Sequence, residues 1–353
     1  MDSIFFGVAS DGREARLWRL SNARGMTAEV TNMGACLVSL RVPDGRGSLV
    51  DVVLGLDGAA GYAKNPYFFG AVMGRCANRT GGAGFELGGE RFELGANEGA
   101  NNNHSGPDFW PMRSWGVEAA DERRIVLALE SPSGDQGFPG AVTVRTTYEL
   151  LDDDALSITY EGAPSAATIM NLGSHAYFNL DGCASGSARD HLLQVRAGSY
   201  TECDEGLIPT GRLLPVEGTP FDFREQRPLG PALDSTDPAV LRARGLDLNY
   251  AIDGYEPGAD GFVGVPRLAA TLVGPRGGIA MDVVTDTPGL QLYTANYIEG
   301  VRGKGGQTYH AHDAVCLETQ FFPDAIHHPG FAQPVFGPDR PYRSRTVFSF
   351  RRA

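Results

Sequence analysis

Apolar and polar side chains alternate along much of the chain, which is the period-two pattern of strands with one buried face. In residues 142–150, two valines, Tyr148 and Leu150 share one face, and Arg145 shares the other with neighbouring polar residues. Residues 156–160 repeat the alternation after three aspartates at 152–154. These two runs predict an antiparallel pair of strands.

Glycine-rich turns separate further pairs of short apolar runs, as in hairpins. One predicted turn is Gly88-Gly89-Glu90-Arg91, and another spans residues 274–278. The apolar runs that flank the two turns are 85–87 with 92–94 and 268–273 with 279–284. Residues 346–350 predict a closing strand, and 238–244 is a weak helix candidate. The pattern predicts an all-β chain, a large antiparallel β-sandwich formed as one domain over residues 1–353.

Composition narrows the possible partners. The 47 glycines and 22 prolines fit many turns, and the net charge of −13 disfavours nucleic acid and anionic membranes. A neutral ligand remains compatible with that charge. The five cysteines are widely spaced and form no CxxC motif, so we expect reduced thiols, no disulfide framework and a cytoplasmic location.

Polar residues cluster in six segments where the strand alternation breaks, namely 74–79, 101–106, 171–180, 245–250, 290–296 and 316–325. Their amides, histidines, arginine and carboxylates suit the hydroxyls of a sugar, which both donate and accept hydrogen bonds. Tyr177 or Phe178 is a candidate to stack on the sugar ring. Taken alone, each polar residue is also compatible with an ordinary structural role. His175, for example, fits a buried core histidine, and Glu318 fits a strand residue that faces solvent.

Two segments carry a specific resemblance. Residues 171–180 read Asn-Leu-X-X-His-X-Tyr-Phe-Asn-Leu, and 317–325 read Leu-Glu-Thr-Gln-X-X-Pro-Asp-Ala. With further matches from Gly34 onward, the chain resembles the aldose 1-epimerase, or galactose mutarotase, family over nearly its whole length. The resemblance implies a β-sandwich that interconverts the α and β anomers of a free hexose without a cofactor.

The resemblance also assigns roles to residues. It implies Glu318 as the catalytic base and His175 as the catalytic acid. The residues that it implies in sugar binding are His104, Asp247, Arg79, Asn78 and Gln291. Two segments depart from the family pattern: Asn103-His104-Ser105-Gly106 replaces Leu-His-Gly-Gly, and Asp247-Leu248-Asn249 replaces Asp-His-Asn.

A carboxylate and an imidazole are sufficient for this reaction, since ring opening removes a proton from the C1 hydroxyl and delivers one to the ring oxygen. Ordinary pKa values of about 4.3 and 6.5 give a bell-shaped pH profile, with Glu318 on the acid limb and His175 on the alkaline limb. The apolar neighbours of Glu318 predict that it is partly sheltered from solvent.

Alternatives stay open on sequence alone. A glycoside hydrolase would use two carboxyl groups, for which Asp247 and Glu318 are candidates. A non-catalytic sugar-binding domain would not need both Glu318 and His175. An enzyme for phosphorylated hexoses would require cationic residues in addition to Arg79 to bind the phosphate. The pairs His310/His312 and His327/His328 lack convincing metal-ligand spacing, so no metal is expected. A monomer and a homodimer remain possible.

Overall fold

Strands make up most of the regular secondary structure in this computed structural model, which describes residues 3–8, 12–44, 46–258 and 261–353. In chain order the strands are β1 (Ile4–Val8), β2 (Glu14–Ser21), β3 (Thr27–Thr31), β4 (Leu37–Pro43), β5 (Leu49–Asp51), β6 (Val72–Met73), β7 (Arg79–Thr80), β8 (Gly84–Leu87), β9 (Glu90–Glu93), β10 (Asn102–Asn103), β11 (Gly116–Ala120), β12 (Arg124–Ser131), β13 (Val142–Leu151), β14 (Ala155–Gly162), β15 (Thr168–Ile169), β16 (Gly173–Ser174), β17 (Tyr177–Phe178), β18 (Leu192–Val195), β19 (Ser199–Cys203), β20 (Pro209–Pro215), β21 (Arg227–Pro228), β22 (Asp247–Ala251), β23 (Arg267–Gly274), β24 (Ile279–Thr285), β25 (Gly289–Tyr293), β26 (Val301–Arg302), β27 (Thr308–Tyr309), β28 (Val315–Gln320), β29 (Val335–Phe336) and β30 (Tyr342–Arg352).

Helices in the described residues are short. The α-helices are α1 (Ala59–Tyr62), α2 (Gly230–Leu233) and α3 (Pro238–Ala243), and single 3-10 turns lie at Gly81–Ala83, Trp110–Met112, Asp135–Gly137, Lys304–Gly306 and Ala325–His327. Helix α3 confirms the weak helix candidate; the Asp237 carboxylate caps it by accepting a hydrogen bond from Ala239 N, and left-handed Arg244 ends it. Across the described residues, no helix is long and apolar enough to span a membrane.

The largest sheet has nine strands in the order β11-β12-β13-β14-β30-β24-β23-β18-β21, all antiparallel. The predicted pair around the three aspartates is β13 and β14, with Leu150 opposite Leu156. The second predicted hairpin is β23 and β24, with Gly274 opposite Ile279. The closing strand β30 is longer than predicted and pairs with both β14 and β24, so the end of the chain lies at the centre of the sheet.

The second large sheet has six strands in the order β17-β28-β25-β22-β19-β20, and a third sheet has five, β1 to β5 in order. One apolar cluster includes side chains from all three sheets, among them Leu317 of the six-stranded sheet and Leu156 of the nine-stranded sheet. The rings of Phe178 and Phe348 meet across the layers with centroids 5.0 Å apart. The predicted all-β antiparallel sandwich is therefore confirmed.

One predicted turn differs in its bounds. The chain reverses at Gly88 and Gly89 alone, both with positive φ, and Glu90 and Arg91 already belong to strand β9. Leu87 consequently pairs with Glu90, and Phe85 with Phe92. A two-residue turn of left-handed glycines matches the twist of the flanking strands, which explains why the loop is shorter than predicted.

Candidate active site

Strand alternation gives the six-stranded sheet two different faces. On β28, Val315 and Leu317 join the sandwich core, which places Cys316 and Glu318 on the opposite face. On β25 and β22, the leucines likewise join the core, and Gln291 and Asp247 point away from it. The register sets Gln291 opposite Glu318, so adjacent strands carry these polar side chains side by side.

A pocket of about 210 Å³ opens on this polar face. Six of the seven predicted site residues line it: Asn78, Arg79, His104, His175, Asp247 and Glu318. They come from segments as distant in sequence as residues 78 and 318, and the fold brings them together. Gln291, the seventh, lies behind the pocket wall, where its Nε2 donates a 2.6 Å hydrogen bond to Asp247 Oδ1.

His175 and Glu318 face each other in the pocket. His175 Nε2 lies 3.8 Å from Glu318 Oε1, and His175 Nδ1 lies 3.7 Å from the Cys316 thiol. The backbone of His175 is fixed on both sides, because its N–H donates to Ala71 O and its carbonyl accepts from Gly70 N. The imidazole is thus held between a thiol and a carboxylate.

Burial changes the protonation of both groups. It raises the pKa of Glu318 to about 8; the Asp247 carboxylate adds to the shift, and the Arg79 guanidinium opposes it. Burial lowers the pKa of His175 to about 4, although the backbone carbonyl of His175 opposes the shift. The shelter of Glu318 comes from the pocket side, since Val315 and Leu317 point into the core.

Arg79 and Asp247 form the charged part of the wall. Arg79 Nη1 lies 3.8 Å from Asp247 Oδ2, and Glu98 accepts two hydrogen bonds from the same guanidinium at 2.6 and 3.1 Å. Burial alone would lower the pKa of Arg79, but Asp247 and Glu98 outweigh it and raise that pKa. Burial raises the pKa of Asp247, whereas Arg79 and the Gln291 amide lower it.

The departure around His104 has a structural explanation. His104 and Ser105 both have positive φ, 52° and 58°, a region in which glycine is the unstrained residue. Ser105 Oγ accepts from Cys76 N at 2.8 Å and donates to Cys76 O at 3.0 Å, and these two bonds hold the serine in this conformation. His104 still lines the pocket, and its Nδ1 accepts a hydrogen bond from Asn78 N at 3.1 Å.

Aromatic rings complete the pocket wall. Tyr177 packs against the His175 ring with centroids 5.0 Å apart, and its hydroxyl donates to Tyr67 O. Phe68 lies 5.4 Å from the His104 ring. Of the two predicted stacking residues, Tyr177 lines the pocket. Phe178, the alternative candidate, lies in the core, because strand alternation turns it away from the pocket.

Sequence reasoning missed Glu98, Phe68 and Tyr297, all of which line the pocket. Glu98 lies in a polar turn that resembles any solvated loop. Phe68 belongs to an aromatic run between Pro66 and Gly70 that breaks the period-two pattern, and this break was an available signal.

Metal-ligand types meet at one place in the described part of the chain: ligand atoms of His175, Cys316 and Glu318 lie within 4.8 Å of one another. The imidazole approaches Glu318 with Nε2 and Cys316 with Nδ1, which lie on different sides of the ring. These contacts therefore do not direct the three side chains towards a single metal position. Burial also raises the pKa of the Cys316 thiol well above its usual range, which disfavours the thiolate that metals bind. His327 and His328 instead contact the Asp324 carboxylate.

Comparison with known proteins supports a relationship over nearly the whole chain. A family model described as aldose 1-epimerase matches residues 16–349. The aldose 1-epimerase of Escherichia coli K12 is 33% identical over 345 residues, covering 97% of each chain. The galactose mutarotase of Homo sapiens is 34% identical over 349 residues, covering 99% of this chain and 97% of the human protein.

Solved structures of related epimerases have the same fold. An aldose epimerase homologue from C. elegans superposes with a TM-score of 0.87 at 26% identity, covering 96% of this chain and 99% of the other. A galactose 1-epimerase from Lactobacillus acidophilus superposes with a TM-score of 0.85 at 27% identity, covering 100% and 98%.

Proposed function

The chain belongs to the aldose 1-epimerase family, and from this premise we propose that Glu318 and His175 are the groups with which it interconverts the α and β anomers of free hexoses such as galactose and glucose. The observation that carries the assignment is the buried contact of 3.8 Å between His175 Nε2 and Glu318 Oε1 in the sugar-sized pocket. The protein is an enzyme, an isomerase.

The reaction needs two proton transfers. The Glu318 carboxylate accepts the proton of the C1 hydroxyl, and the C1–O1 bond becomes a carbonyl as the bond between C1 and the ring oxygen breaks. The His175 imidazolium donates its proton to that oxygen. Rotation about C1–C2 presents the other carbonyl face, and reversal of both transfers recloses the ring. The chemistry is balanced without an oxidant, so we propose that no cofactor takes part.

The remaining polar groups are proposed to bind and orient the sugar. Arg79 and Asp247 offer charged partners to hydroxyl groups, and charge-assisted hydrogen bonds are the stronger kind. His104 and Asn78 line the same pocket and are joined by a hydrogen bond. Gln291 acts through Asp247, because its amide donates a hydrogen bond to the Asp247 carboxylate from behind the pocket wall.

The wider expectations remain proposals. One domain is supported by the apolar cluster, which extends from Trp18 to Phe350. The cytoplasmic location and the choice between monomer and homodimer stay predictions. A non-catalytic sugar-binding role is not favoured, because the homologues are named as epimerases and mutarotases.

Polarimetry tests the proposal directly. Freshly dissolved α-D-galactose and α-D-glucose should change optical rotation faster with the protein than in buffer, after EDTA treatment and without nucleotide. A folded protein that leaves every common aldose at the buffer rate would refute the enzymatic function.

A further inference from the structure

Glu98 lies at the rim of the pocket and makes a bidentate contact with the buried Arg79. Its two carboxylate oxygens accept from Arg79 Nε at 2.6 Å and Nη2 at 3.1 Å. The Glu98 side chain is 40% exposed, against 11% for Arg79. Such a paired geometry fixes the plane of the guanidinium and leaves Nη1 directed towards Asp247.

Hydrogen bonds within the turn that carries Glu98 fix its position beside Arg79. The Asn97 side chain makes two hydrogen bonds with the backbone of Asn103, at 2.7 and 2.9 Å, and Glu98 N donates to Asn101 O. Asn103 is the strand partner of Arg79, and its amide donates to Glu98 at 3.3 Å. The loop and the strand therefore bring the carboxylate and the guanidinium together from both sides.

The charge of the pocket depends on this contact. Arg79 is the cation among the described lining residues, and burial lowers the pKa values of His104 and His175 so that both stay neutral near pH 7. Without Glu98, the guanidinium would have free donors at the pocket rim and one fewer opposing charge. A sugar carboxylate or phosphate could then bind to it.

We propose that Glu98 is a specificity-determining residue that orients Arg79 and offsets its charge, so that the pocket selects neutral aldoses over anionic ones. The inference rests on the proposed function. Glu98 acts through Arg79 and is a positioning residue with respect to the reaction.

Exchange NMR of the anomeric protons tests this at equilibrium, with galactose as the neutral sugar and galacturonate and galactose 6-phosphate as the anionic ones. In Glu98→Gln, kcat/KM for galactose should fall about three- to tenfold, and the preference for galactose over each anion should shrink about tenfold at low salt. At 0.5 M NaCl, the preference of the wild-type protein should also shrink, since the exposed carboxylate is screened. The control Glu86→Gln removes an exposed carboxylate on β8 and should leave both values unchanged.

An unchanged preference in folded Glu98→Gln would overturn the inference, and so would anions that stay below detection in both proteins. Failure of the proposed function is distinguishable, because the wild-type protein would then not exchange the anomers of galactose at all.

Discussion

His175 Nε2 lies 3.8 Å from Glu318 Oε1, and both side chains are almost completely buried. Burial disfavours the charged form of each, so that the pKa of Glu318 is about 8 and that of His175 about 4. Near neutrality the resting pair therefore holds one proton, mainly on Glu318, and the proposed mechanism requires the form in which that proton is on His175.

Replacing Glu318 or His175 should lower kcat much more than it changes KM, because each residue is proposed to transfer a proton in the transition state. Glu318→Gln keeps the shape and removes the base; His175→Asn keeps a polar group and removes the acid. Each should reduce kcat by about 10²–10⁴-fold in polarimetric assays. The double variant should be little worse than the poorer single one. Near-full kcat in folded Glu318→Gln would place the base elsewhere.

The pH profile should reflect the inverted order of the two pKa values. Below about pH 4 the pair gains a second proton on His175, and no base remains; above about pH 8 it loses the proton of Glu318, and no acid remains. We expect a bell in kcat/KM with limbs near those values and a His175 NMR titration on the acid side. Limbs near 4.3 and 6.5, the ordinary values, would show that burial does not control the pair.

That inversion marks the limit of what the sequence could predict. Alternation predicted the β13–β14 and β23–β24 hairpins because their buried faces follow a strict period of two. The family resemblance predicted six of the side chains that line the pocket. The environment of Glu318 could not be predicted, because its sequence neighbours face the core and the groups that bury it come from distant segments. Glu98 was missed for the same reason: its partner Arg79 is far enough along the chain that only the fold shows their contact.

Arg79 and Asp247 should shift the alkaline limb in opposite directions. Arg79 lowers the pKa of Glu318 and Asp247 raises it, so Arg79→Ala should move the limb up and Asp247→Asn should move it down. Each should also raise KM by about 10–100-fold through a lost charge-assisted hydrogen bond. Arg91→Ala, on the exposed part of β9, is the control. Shifts in the same direction for both variants would contradict this electrostatic account.

Ser105 should distinguish strain from hydrogen bonding. Ser105→Ala loses both bonds to Cys76 and keeps the left-handed backbone, so it should cost about 1–3 kcal/mol in the free energy of unfolding. Ser105→Gly loses the same bonds but relieves about 1 kcal/mol of strain, so it should be the more stable of the two. Chemical denaturation measures both. Equal stability of the two variants would mean that the backbone at Ser105 is not strained.

The last prediction concerns the effect of the buried Glu318 carboxyl on stability. The pKa of Glu318 is about 8 in the folded protein, above the ordinary value of about 4.3 that applies on unfolding. Between these two values the unfolded chain releases the proton and the folded protein keeps it, so Glu318 destabilises the fold increasingly as pH rises, and the effect levels off above about pH 8.

Glu318→Gln removes this linkage, and its advantage over the wild-type protein should therefore grow with pH. We expect little difference at pH 5 and an increase in the free energy of unfolding on the order of 2–4 kcal/mol at pH 8.5, less than the full shift because the amide is also buried. Denaturant titrations at pH 5, 7 and 8.5 measure it, with the exposed Glu130→Gln as the control. A difference that stayed flat across these pH values would show that Glu318 is ionised in the folded protein near neutrality, and the resting pair would then be carboxylate and imidazole without the shared proton.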